Sequence, residues 1–343
     1  MTSLHSKPLA LKNVTVTDSF WRTEQELVRT AVIPYQWNAL NDNVPGAAPS
    51  YCMHNFKAAA AQNKRKDTQG KAFVPPKYTF RGFEALPEDP ANPDPDKFYG
   101  FVFQDTDFSK WVEAVGYSLA HYPDPALEQT ADQAIDVVCA AQLDNGYLDT
   151  CYILNDMDRA FTNLRDHHEL YCLGHLVEGA VAYYQGTGKD KLLKAACRFA
   201  DYVDERFGRK PGQLRGYPGH EIAEMALVRL YEVTGEQRYL DLAEYFVTER
   251  GRQPYIFDIQ ADENAKRDAD ANYKPNTDPN RYAYHQANKP VTEQDEAVGH
   301  AVRAGYFYSG LVDVARLADD QDLADAAERL WRNIVDKKLY VTG

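Results

Sequence analysis

Apolar residues recur along most of this chain at three- and four-residue intervals, the spacing that gives a helix one buried face. From Gln104 onward the pattern comes in pairs. The first is FSKWVEAVGYSLAHY, a PDPA turn, then LEQTADQAIDVVCAAQ. LYCLGHLVEGAVAYYQ follows, with the turn GTGKD and then KLLKAACRFADYVDERF; HEIAEMALVRLYEV follows in turn, with TGEQ and RYLDLAEYFVTERG. The last is HAVRAGYFYSGLVDVARL, the turn ADDQD, then LADAAERLWRNIVDKKL. Each pair reads as a helical hairpin closed by a Gly- or Asp-bearing turn. Longer loops join the pairs: LDNGYLDTCYILND, GRKPGQLRGYPG and the tract from Arg252 to Asp295.

Upstream, Leu11 to Val16 has β-like spacing, and Phe20 to Asn41 carries Trp21, Leu27, Val28, Val32, Ile33 and Trp37 as a helix that Pro34 should kink. Met53 to Gln62 is a short Ala-rich helix. Asn63 to Tyr99 breaks the pattern with a charge cluster, Lys64 to Asp67, and the tract LPEDPANPDPDKFYG. It reads as a long surface excursion and not as a linker between domains. Hairpins with short turns at one end and long loops at the other predict an all-α fold, an α/α toroid whose loops crowd one rim into a pocket. Counting the early helices as one pair gives five pairs where a six-pair toroid needs one more, so either the toroid closes with fewer pairs or the polypeptide is the front portion of something longer. The expectation is one toroidal domain over residues 1–343, incomplete at its C-terminus.

Charge narrows the partners. The 51 acidic and 38 basic residues give a net charge of −13, with no Lys/Arg block. That field repels phosphate backbones and spares a neutral sugar, so nucleic acid is not expected as a partner. The N-terminus lacks a basic segment followed by an apolar one, and no long apolar run occurs, so the expected location is cytoplasmic, without a membrane anchor. Five cysteines without CxxC pairs suit reduced thiols, and Cys139, Cys172 and Cys197 fall inside helical patterns as small core residues. GxGxxG, P-loop and GxSxG motifs do not occur.

Histidines recur where helical arms begin. In RDHHELYCLGH, His168, Tyr171 and His175 share a helix face; His220 follows GYPG, and His300 follows AVG. A core imidazole satisfied by carbonyls explains any one of them equally well. Three hairpins each placing one at the head of an arm favour a shared polar site. Nothing like HxH or HExxH marks them as metal ligands. His5, His54 and His121 read as solvent or loop residues, and His167 and His285 have no assigned role. Glu169, Glu221, Glu293, Asp295 and Glu296 lie close by, where interaction with a helix dipole accounts for each. Asp105 or Asp107 is placed to cap the helix that follows. The aromatic phrases GYLDTCY and YAYH suit both sugar stacking and core packing.

The phrases VTDSFW, VIPYQWNALND, FVFQDTDFSKW, NGYLDT, HELYCLGH, GHEIAEMALVRLYEVTGEQRYL, GHAVRAGY and NIVDKKLYVTG run nearly end to end. Through them the chain resembles the N-terminal, catalytic-domain part of the β-L-arabinofuranosidases of glycoside hydrolase family 127. The resemblance implies an (α/α)6 barrel that removes β-L-arabinofuranosyl units from plant-type glycans with retention. It also implies a zinc-bound cysteine thiolate as nucleophile and a glutamate as acid/base. By motif, His168, His220 and His300 resemble the family's sugar-contacting histidines. In the family the glutamate, the zinc ligands and β-sandwich domains follow the YVTG phrase, whereas this sequence stops at Gly343. The expectation is therefore a truncated hydrolase with substrate-binding residues, no catalytic residue and no metal ligand, zinc belonging to the full-length family. Neither Cys151 nor Cys172 matches the ligand motifs. An unpaired seam would bring low stability or a homodimer. The competing readings are an epimerase using histidine acid/base pairs and a non-catalytic carbohydrate-binding scaffold.

Overall fold

The elements follow the apolar periodicity closely. The computed structural model describes residues 8–77, 82–267 and 277–342. Among them thirteen α-helices run in order: α1 (Ser19–Leu27), α2 (Ile33–Leu40), α3 (Cys52–Gln69), α4 (Asp105–His121), α5 (Pro125–Ala141), α6 (Thr150–Asn155), α7 (Glu169–Thr187), α8 (Lys191–Arg206), α9 (Ala223–Thr234), α10 (Gln237–Glu249), α11 (Ile256–Arg267), α12 (Ala301–Ala318) and α13 (Gln321–Lys337). The named strands, β1 (Glu84–Ala85) and β2 (Gly100–Phe101), are two residues each and pair antiparallel, so the fold is all-α.

The expected hairpins are α4/α5, α7/α8, α9/α10 and α12/α13, and their turn chemistry is visible. Asp124 accepts hydrogen bonds from the Ala126 and Leu127 N–H groups, with Pro125 opening α5. Gly235 in the left-handed region ends α9. Asp320 caps α13 through the Leu323 N–H at 3.0 Å.

Several expectations are corrected. Leu11–Asn13 is a 3-10 turn, not a strand. The helix carrying Pro34 is interrupted before the proline: Val28–Val32 widens into a π turn, and Pro34 sits in the first turn of α2, where its missing N–H costs nothing. Helix α3 continues to Gln69, well into the charge cluster, so the excursion begins later than the composition suggests. Helices α6 and α11 lie in stretches read as loops. Glu169 is not a simple dipole partner, because its carboxylate accepts from the Phe161 N–H at 2.8 Å. His54 lies within α3 and contacts the Lys97 carbonyl at 3.0 Å. His121 is the last residue of α4, and His5 lies outside the described residues.

The chain divides into two compact units, one of Ser6–Ala160 with His175–Tyr202 and one of Phe161–Gly174 with Val203–Gly343. In the first, Trp111 is 1% exposed, stacks on Trp37 at 4.5 Å and donates its indole N–H to the Ile33 carbonyl at 3.1 Å. Asn55 holds Tyr99 by both backbone groups, which ties the end of the excursion to α3. Asp105 does not cap α4. It is buried and accepts from the Thr150 N–H and hydroxyl, joining the start of α4 to the start of α6. Burial pushes its carboxyl up to about 6 against those two donors. Asp107 accepts instead from the Gln104 side chain at 2.6 Å.

Glycines let α4 and α7 touch backbone to backbone. A Cβ on Gly186 would strike the Gly116 carbonyl oxygen, and one on Gly116 would lie 2.5 Å from Ala182 C. Gly186→Ala is therefore expected to destabilise: overpacking costs roughly 1–3 kcal/mol, more than the about 1 kcal/mol that alanine gains in helix propensity. Gly305→Ala in α12, where nothing lies within 4 Å of the new Cβ, is expected to raise the melting temperature. Thermal denaturation of the two variants should move in opposite directions.

In the second unit α9 and α10 pack on one another and on α12, and α13 packs on α12. The buried stripes Ala226, Leu227 and Leu230, Leu242, Ala243 and Phe246, and Phe307, Leu311 and Val314 form the core between them. The loops between these helices hold His220, His285 and His300.

Candidate functional site

His168, His220 and His300 come together in the Phe161–Gly174 and Val203–Gly343 unit. Their rings form a chain, with His168 and His220 centroids 5.5 Å apart and His220 and His300 6.0 Å apart. Tyr171 lies 4.3 Å and Tyr306 6.2 Å from the His220 ring, while Tyr284 lies 5.4 Å from His300. Arg303, one helical turn after His300, stands 4.7 Å over the Tyr284 ring.

Glycine is what allows two of these approaches. A Cβ on Gly219 would collide with the Leu164 carbonyl oxygen, so only glycine lets Pro218–His220 run against the Leu164–Arg165 backbone and reach His168. Gly299, at φ +90°, stands the same way against the Ala283 carbonyl, which brings His300 to Tyr284. His168 immediately precedes α7, His300 is the N-cap of α12, and His220 lies three residues before α9.

The hydrogen bonds set the polarity of each ring. The Nδ1 of His168 lies 2.8 Å from the Asp166 carbonyl, and that of His220 lies 3.0 Å from the Glu221 carbonyl. A carbonyl only accepts, so both Nδ1 atoms carry the proton and the lone pair is on Nε2. In His300 the Nδ1 accepts from the Arg303 N–H at 3.4 Å, which leaves the proton on Nε2. The cluster thus combines two acceptor rings with one donor ring, a pattern that matches hydroxyl groups, which both donate and accept.

Burial keeps the first two imidazoles neutral. It lowers His168 to about 4 and His220 to about 3, with the Arg303 guanidinium adding to both shifts and the carbonyl bonds opposing them. His285, which had no assigned role, is lowered to about 3 by burial, then by Arg303 and Arg250. His175 lies within α7 and is buried.

Glu221 departs furthest from what its sequence position suggests. It is fully buried ahead of α9, and its Oε1 lies 3.0 Å from Nη1 of the equally buried Arg250. Burial pushes its carboxyl well above the usual carboxylate range, Arg250 pulls it back, and Glu224 adds to the rise. Glu296 pairs instead with Lys338 at 2.9 Å and Asp295 with Lys289 at 3.3 Å, both on the surface. Arg303 could have been picked out as the residue one turn after a capping histidine. For Arg250, in the ordinary helix-end phrase ERG, no local signal exists.

Among the described residues no group of three or more His, Cys, Asp or Glu is placed to hold a metal ion. Burial raises the Cys52 thiol well above its ordinary range and Cys139 to about 11, the opposite of what a thiolate ligand needs. Cys52 and Cys139, as buried thiols, do not fit a zinc–thiolate site. No helix among the described residues is long and apolar enough to cross a membrane.

Comparison with known proteins adds a family-level likeness. The family described as β-L-arabinofuranosidase, GH127 catalytic domain, matches residues 13–343. A non-reducing end β-L-arabinofuranosidase of Bifidobacterium longum subsp. longum is 39% identical over 339 residues, covering 96% of this chain and 47% of that protein. The crystal structure of a GH127 β-L-arabinofuranosidase from Geobacillus stearothermophilus T6 aligns with a TM-score of 0.83 and 42% identity, over 96% of this chain and 46% of that one. A further GH127 β-arabinofuranosidase structure aligns at 0.75 and 36% identity, over 98% and 44%. The chain spans about half the length of these relatives.

Proposed function

The chain belongs to the GH127 β-L-arabinofuranosidase family through its catalytic-domain match, and from that premise we propose that it serves the hydrolysis of β-L-arabinofuranosyl linkages by binding the terminal sugar. His168, His220 and His300 are its sugar contacts. The observation that carries this reading is the convergence of three imidazoles of mixed polarity beside tyrosine rings.

In this reading the Nε2 lone pairs of His168 and His220 accept from two sugar hydroxyls, and the Nε2 proton of His300 donates to a third oxygen. Tyr171 and Tyr306 offer ring faces to the C–H side of the sugar. His168, His220 and His300 bind and orient the glycone.

The test is calorimetric titration with L-arabinose, D-xylose and D-glucose, together with release of a chromophore from a β-L-arabinofuranoside. Binding that favours L-arabinose supports the reading, and equal or no binding of the three sugars overturns it. The titration behaviour of the rings adds a sharper expectation. Imidazoles of ordinary pKa, about 6.5, would lose their acceptor lone pairs below that pH. Those of His168 and His220 persist to about pH 4. The share of affinity that His168 and His220 supply should therefore persist from pH 8 to 5 and be lost only below about 4; loss of that share with a midpoint near 6.5, measured in a His300→Ala background, would contradict it.

A further inference from the structure

Behind the histidines lies a fully buried guanidinium. Arg250 follows α10 and is 0% exposed. Its Nη2 donates to the Pro218 carbonyl at 2.6 Å and to Glu224 Oε1 at 2.9 Å, and its Nη1 donates to the His285 carbonyl at 2.9 Å. Glu221 Oε1 lies 3.0 Å from Nη1 as a charge contact. The guanidinium lies 4.9 Å from the Tyr217 ring centroid and 5.1 Å from that of Phe307. One rigid fork thus holds the segment that carries His220, the segment that carries Tyr284 and His285, and, through Phe307, the helix whose N-cap is His300. A flexible lysine could not meet these acceptors in one plane.

We infer that Arg250 is the positioning residue of the histidine site, setting the spacing of His220, Tyr284 and His300 from behind without touching the ligand. The inference rests on the sugar-pocket reading of those histidines. Its physical basis is the sensitivity of hydrogen-bonded recognition to small displacements, since a shift of about 1 Å at a site can cost roughly a hundredfold. A buried charge with three anchored acceptors resists such shifts better than an apolar contact, which slides.

Two variants test it. Arg250→Lys keeps the charge and loses the fork. The combined variant Arg250→Met, Glu221→Gln, Glu224→Gln removes the buried charges together, which avoids the stranded carboxylates that a single change to methionine would leave and commonly preserves stability. Sugar affinity is read by calorimetry, folding by melting temperature, and ring placement by the 15N resonances of His220 and His300. The expected result is a folded protein whose L-arabinose affinity falls roughly tenfold or more, with both imidazole signals displaced. Folded variants with wild-type affinity and unmoved resonances overturn the inference. If the wild-type protein binds no sugar while the variants still displace the resonances, the pocket reading fails and the positioning role stands. If the resonances stay in place as well, both fall.

Discussion

Replacing His220 with alanine is expected to weaken L-arabinose binding by roughly 30- to 150-fold, about 2–3 kcal/mol. His220 is the middle ring of the cluster, 5.5 Å from His168, 6.0 Å from His300 and 4.3 Å from Tyr171. Its loss leaves a bound hydroxyl without its acceptor, which costs about 1–3 kcal/mol, and a central position in the cluster puts the loss in the upper part of that range. The structural cost of the change should be slight, since the ring bonds to the carbonyl of the next residue in sequence. Calorimetry on His220→Ala, with His121→Ala as a remote control, separates the two effects. An unchanged affinity in a folded His220→Ala protein would remove the site from this part of the chain.

The largest loss of stability is expected from Trp111→Ala. Truncating a buried aromatic residue costs about 3–5 kcal/mol in lost burial and cavity formation. Here the Trp37 ring also loses its stacking partner at 4.5 Å, and the Ile33 carbonyl loses its donor at 3.1 Å. At roughly 2–4 °C per kcal/mol for a protein region of this size, the melting temperature should drop by about 6–20 °C. Trp111→Phe keeps most of the volume and should lose only the hydrogen-bond share, about 1–3 kcal/mol. Equal, small losses in both variants would mean that the α2 and α4 contact contributes little to folding.

The two predictions draw on features of unequal legibility. The burial of Trp111 was readable, because an aromatic residue on the apolar face of a periodic helix has few other places to go. The juxtaposition of the histidines was half readable. Each stands at the head of a helical arm in the sequence, but nothing in one arm says which others it will meet. Asp105 and Glu221 show the limit from the other side. Both sit where a helix cap or a dipole partner is expected, yet Asp105 bonds to Thr150, 45 residues on, and Glu221 is buried against Arg250. Local rules price a carboxylate against its own helix end, and a distant donor outbids that end by offering more than one hydrogen bond or a full charge.

What the sequence by itself determined was the class of fold, the four hairpins from α4 to α13, their turns, and the family. Those are consequences of interactions within a few residues, where the 3.6-residue period, a capping aspartate and a turn glycine suffice. Helix α6 escaped because six residues, five of them buried in one run, are too short to show a period, and α11 because its apolar positions cluster in its first turn. Tertiary structure alone decided that Gly219 and Gly299 would let His220 and His300 close on their neighbours, that Arg303 would stand among the imidazoles, and that Arg250 would hold three segments from behind. The physical reason is that each depends on a backbone approach or a buried charge pairing between residues far apart in sequence, which no local preference encodes.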